Sequence, residues 1–175
     1  MENKPSKGSA WEKINVNIEI LQKFFLSHLD RIYAAKLHLL SKMDLISDSA
    51  QFAGLKAAIE QTKIDVERQV ARIQMIYTML DAQNRDGSIN GLTGLIEDAF
   101  EAIEQQEGEA ALQDLSIIFY LQNIESIEMA SFQILQMAAI KLENKSIAKL
   151  LQENYDEAKA GRALLLLVSS KYMID

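Results

Sequence analysis

Apolar residues along this chain recur at intervals of three and four, the period of one helix face, and almost nowhere alternate as a strand would. From about 17 to 45 the repeat runs through Leu21, Phe25, Leu29, Ile32, Tyr33, Leu40 and Met43 and predicts a first long helix. Ser47, Asp48 and Ser49 are N-cap candidates for a second, carried to about 83 by Phe52, Leu55, Ile59, Val66, Val70, Ile73, Tyr77 and Leu80. The turn between them is short, so the pair should form an antiparallel hairpin. NRDGSING, 84 to 91, is a dense turn signal. A shorter helix is predicted at about 92 to 106, a third long one at about 109 to 141 and a fourth at about 145 to 171.

Two long hairpins joined by a long connection with its own short helix describe an all-α chain. The plan is that of a ferritin-like antiparallel four-helix bundle with one long crossover. Residues 1–14, with the only proline, read as a flexible N-terminal leader in which Trp11 could dock, and 15–175 as a single domain.

Composition narrows the chemistry. The 175 residues are 49% hydrophobic, carry a formal net charge of −7 and include no cysteine. Zero cysteine excludes disulfides, thiolate metal sites and cysteine nucleophiles, and fits a reducing compartment, with cytoplasm the default. No apolar run is long enough for a membrane span, and scattered basic residues on an acidic chain argue against nucleic acid. Nucleotide-binding glycine loops, hydrolase elbows and HExxH are lacking.

Charges on the apolar faces are the anomaly. In FYLQNIESIEMASFQIL, 119 to 135, Glu128 falls within about 20° of Leu121 and beside Leu135, with Glu125 nearer the edge of the arc. Lys36 lies within about 20° of Leu29, and Lys63 about 40° from Ile59. Glu157 is closer to the apolar face of the last helix than Glu153 or Asp156, whereas Glu60 sits at the margin of the second. An unpaired carboxylate in a core costs several kcal/mol, so it must be given a cation, a proton or a metal. Lys36, Lys63, Glu125, Glu128 and Glu157 are therefore expected to meet as a buried charge network, balanced if one carboxyl keeps its proton. Lys63 reads equally well as part of a solvated ladder with Lys56, Glu60 and Glu67.

The stretches IYAAKLHLL, AIEQTKIDVER, GLIEDAFEAIE, IESIEMASF and LLQENYDEAKA carry a resemblance. From about residue 20 to 171 the chain resembles the YciE/YciF family of bacterial ferritin-like proteins, a domain family of unknown function associated with stress responses. The resemblance implies a di-metal carboxylate site, for which Glu60, Glu125, Glu128 and Glu157 match ligand types. Lys36 stands where that pattern has a glutamate, and Lys63 where it has a histidine. An ammonium has no lone pair to give a metal and brings positive charge to the place of a dication. The expectation is thus a non-catalytic protein, without cofactor, whose metal site is degenerate. The alternative is a di-iron or di-manganese oxidase or peroxide scavenger using the remaining carboxylates.

Other residues have simpler readings. His28 and His38 are about 15 Å apart along one helix and are expected at the surface. Met75, Met79, Met129 and Met137 are expected as core filler, and Tyr33 and Tyr120 as packing residues. Ile124, Ile127 and Ile134 widen one apolar arc beyond what four helices fill. The short helix or a second subunit could cover the rest; a homodimer is expected, with an unknown protein partner as the further candidate.

Overall fold

The computed structural model describes residues 16–84 and 91–174, so residues 1–15, with Trp11, and most of NRDGSING lie outside the described residues. Five helices follow in order: α1 Ile18–Ser49, α2 Ala53–Met79, α3 Leu92–Glu104, α4 Ala110–Lys141 and α5 Lys145–Ile174.

Local chemistry sets the ends. Asn17 caps α1, its side chain accepting from the Ile20 N–H at 2.8 Å, and Asn144 does the same for α5 toward Ile147 at 3.1 Å. Asp81 and Glu143, at φ 48° and 57°, close α2 and α4 in left-handed turns. Each turn adds a six-to-one backbone bond, Ala82 to Tyr77 and Asn144 to Ala139. The expected cap of α2 is corrected: α1 runs on through Ser47, Asp48 and Ser49. The buried Asp114 of α4 accepts from the Gln51 and Phe52 N–H groups at 2.8 and 2.9 Å, so α2 begins on a carboxylate from another helix.

Cross-helix bonds give the topology. Asp30 meets Tyr77 while Ser47 meets Glu60, so α1 and α2 are antiparallel. Arg162 to Ser126 and Gln136 to Gln152 run α4 and α5 antiparallel, and Arg68 and Arg72 reach Glu157 and Asn154 across an antiparallel α2 and α5. It follows that α2 and α4 point the same way, and the chain must climb the whole bundle between them. It does so through α3, which packs over the seam of α1 and α4. Ile96, Ala99, Phe100 and Ile103 are its buried face.

The apolar core is split in two. One cluster holds Leu39, Met43, Leu55, Ile117, Leu121 and Leu165, and the other Phe25, Leu29, Ile73, Phe132, Leu135 and Leu151. Between them lies a layer of buried polar side chains.

Candidate functional site: a buried ion network

Lys36, Gln69, Glu125, Glu128 and Asn154 form that layer, each less than 9% exposed. Lys36 is fully buried from α1. Its Nζ lies 2.7 Å from Glu128 Oε2, donates to Gln69 Oε1, and sits 5.3 Å from the centre of the Phe132 ring. The ammonium thus has a carboxylate, an amide oxygen and an aromatic face, enough to occupy its three donors in a dry environment. Gln69 in turn donates to the Asn154 carbonyl at 3.4 Å and accepts from the Asn154 side chain on its own carbonyl at 3.5 Å, which ties α2 to α5.

A second pair borders the first. Arg72 grips Glu157 with both terminal nitrogens, at 2.7 and 2.8 Å, and also reaches Asn154 at 3.2 Å and Glu153 at 3.1 Å. Arg68 joins Glu157 at 3.0 Å and bonds to the buried Asp65. A forked guanidinium on a carboxylate is the strongest common form of ion pair.

Glu125 is the odd member. It is 4% exposed, and its Oε2 has no hydrogen-bond partner among the described residues. A Cβ on Gly161 of α5 would come within 2.8 Å of its Oε1, so only glycine there leaves room for the carboxyl. Burial is the main reason that the Glu125 carboxyl is pushed well above the usual carboxylate range. Glu128, Asp65 and Glu157 add to this, and only Lys36 opposes it. With Glu125 carrying its proton, the cations Lys36, Arg68 and Arg72 face the buried or half-buried carboxyl groups of Asp65, Glu128 and Glu157, while Glu153 meets Arg72 at the solvent edge.

The structure brings Lys36, Glu125, Glu128 and Glu157 to one level of the bundle and leaves two expected residues outside. Lys63 lies on the outer flank of α2, bonded to Asp44 of α1. The buried stripe of α2, from Leu55 through Thr62, Val66 and Gln69 to Ile76, puts Lys63 about 90° from its centre; measuring from Ile59 alone drew it too far inward. Arg72 stands at the opposite edge of that stripe and supplies the second cation. Glu60 is exposed and accepts from Ser47 at 2.8 Å. Gln69, Asn154, Asp65 and Arg72 were missed, although the first three interrupt apolar arcs in the same way as Lys36.

The histidines and methionines depart from expectation, and Tyr33 packs as expected. His38 is half-buried, its Nε2 2.5 Å from Glu97 Oε1 of α3. His28 stacks on Phe24, ring centres 4.3 Å apart. Met75, Met79 and Met137 are exposed rather than core filler. Tyr33 packs edge-on against Tyr77, with its hydroxyl bonded to Gln74.

These residues do not fit a di-metal centre. Lys36 Nζ already occupies hydrogen-bonding distance of Glu128, Glu125 is packed against the backbone of α5 at Gly161 so closely that a Cβ there would meet its carboxyl, and Glu157 is held by two arginines. No group of three His, Asp or Glu side chains with metal-binding geometry occurs among the described residues.

Fold and site together define a ferritin-like helical bundle with a charged and amide layer through its core. The chain belongs to the family described as Domain of unknown function (DUF892), which matches residues 20–172. It is 27% identical over 146 residues to Protein YciF of Escherichia coli strain K12, covering 83% of this chain and 87% of that protein. The crystal structure of the E. coli stress protein YciF has the same fold, with a TM-score of 0.81 at 23% identity over 87% of this chain and 96% of that one. YcfI of Rhodopseudomonas palustris aligns with a TM-score of 0.76 at 22% identity, covering 89% of this chain and 97% of that chain. No helix among the described residues is long and apolar enough to cross a membrane.

Proposed function

We propose that this protein is a non-catalytic, stress-associated scaffold of the bacterial cytoplasm, in which buried ion pairs stand in place of a di-metal centre. It acts by assembly, as a homodimer or on a protein partner. The carrying observation is Lys36, fully buried with its ammonium 2.7 Å from Glu128. A fixed cation at that point does the charge balancing that a bound metal would do, without coordination sites open to substrate. The stress association is supported by the description of E. coli YciF as a stress protein. Self-association is supported by α4, whose Phe119, Ile134, Met137 and Ile140 are between 48% and 62% exposed.

Metal analysis tests this reading on protein made in iron- and manganese-supplemented medium, beside light scattering. Less than one metal per ten chains is expected, with a mass near twice the 19.7 kDa of the chain. About two metals per chain would overturn the scaffold reading in favour of an iron or manganese oxidase built on the carboxylates. A monomer that retains no partner would overturn the assembly.

A further inference from the structure

The seam between α1 and α4 is only partly covered. Both helices have 32 residues, roughly 48 Å, whereas α3 has 13, roughly 20 Å, so the bracing helix ends before the seam does. Beyond its N-terminal end, at Gly91 and Leu92, lies an open groove of about 630 Å³. Ile32 and Leu135 make its floor, and Phe24, Ile127, Ala130 and Ile134 its walls. It runs along α1 from Phe24 to Ile32 and along α4 from Ile127 to Leu135, about 12 Å on each.

Its polar lining has one sign. Arg31 and His28 stand at the α1 edge, and no acidic residue among the described residues lines the groove. None of the ion pairs among the described residues includes Arg31, whereas Lys36, Lys63, Arg68 and Arg72 all have carboxylate partners. Burial first, and Arg31 second, hold the His28 imidazole below its usual pKa, so at neutral pH Arg31 supplies the charge. The Ser131 hydroxyl is committed to the Ile127 carbonyl at 2.8 Å. On a chain of net charge −7, a guanidinium with no ion-pair partner among the described residues, set over an apolar trough, selects a ligand with one anionic end and an apolar body.

We propose that this groove binds a free medium-chain carboxylate, an apolar chain of about ten carbons laid along Ile127 and Ile134 with its carboxylate on Arg31. The trough is the right length for such a chain, and the forked guanidinium takes both carboxylate oxygens.

Calorimetric titration of the full chain with decanoate, below its micelle concentration, tests the site, with decanol as the uncharged control. Expected are one saturable decanoate site per chain, decanol weaker by tenfold or more, and an Arg31→Glu variant that loses at least tenfold for decanoate but not for decanol. Ala130→Phe, on an exposed position, should fill the trough and abolish both. Three results would overturn the proposal: no saturable binding, decanoate affinity indifferent to Arg31→Glu, or a dimer that Ala130→Phe dissociates while decanoate never binds. The last would assign the groove to a second copy of the chain.

Discussion

Replacing Lys36 by methionine keeps most of the side-chain volume and removes only the ammonium, so the loss of stability measures the ion network rather than a cavity. In the native fold that ammonium is fully buried and touches Glu128, Gln69 and the face of Phe132. Without it Glu128, 7% exposed, has no cation in contact and is left as either a lone buried carboxylate or a buried acid without its partner, and Gln69 Oε1 loses its donor. Breaking a buried pair by removing one partner costs about 3–5 kcal/mol. A domain of this size has roughly 5–15 kcal/mol to lose, and with a urea slope of about 2 kcal/mol/M the midpoint should fall by about 1.5–2.5 M. The double variant Lys36→Met, Glu128→Gln removes both charges and should recover about 2 kcal/mol or more of that loss, because a neutral amide is cheaper to bury than a lone carboxylate. Urea unfolding followed by circular dichroism at matched protein concentration reads all four proteins of the cycle, the wild type, Lys36→Met, Glu128→Gln and the double variant. A single variant that loses less than about 1 kcal/mol, or a double variant equal to the sum of the two single losses, would refute the pairing as the main interaction of the layer.

Two further tests probe the same layer from the α5 side and through pH. Alanine for glycine inside an exposed helix usually stabilises by about 1 kcal/mol, yet Gly161→Ala should destabilise here by about 1–3 kcal/mol because its Cβ meets Glu125, and adding Glu125→Ala should reverse the sign of the Gly161→Ala step. The fold holds a proton on Glu125 at pH values where the unfolded chain, with an ordinary carboxyl near 4.5, has released it. The folded state then binds more protons, so the Glu125 contribution falls as pH rises from about 4.5 and levels off once Glu125 also ionises in the fold. Glu125→Gln should flatten that part of the stability profile in thermal melts, and an unchanged slope would contradict the assignment.

Helical periodicity alone determined which segments are helices, because one amphipathic face can be read from a single stretch of chain. The long link between the two hairpins likewise implied a crossover, since parallel α2 and α4 cannot be joined by a tight turn. Lys36 and Glu128 stood out for the same reason: a charge in the middle of an apolar arc is visible without knowing what lies opposite. What lies opposite was not legible. Gln69, Asn154 and Arg72 reach the layer through contacts between residues 33 to 85 positions apart, and the choice of Arg72 over Lys63 depended on which edge of α2 faces α5 and which faces α1. The cap that Asp114 gives to α2, the space that Gly161 leaves for Glu125 and the stretch of seam that α3 leaves open are equally tertiary. Each depends on the distance between two helix surfaces, which packing sets and no one-dimensional period contains.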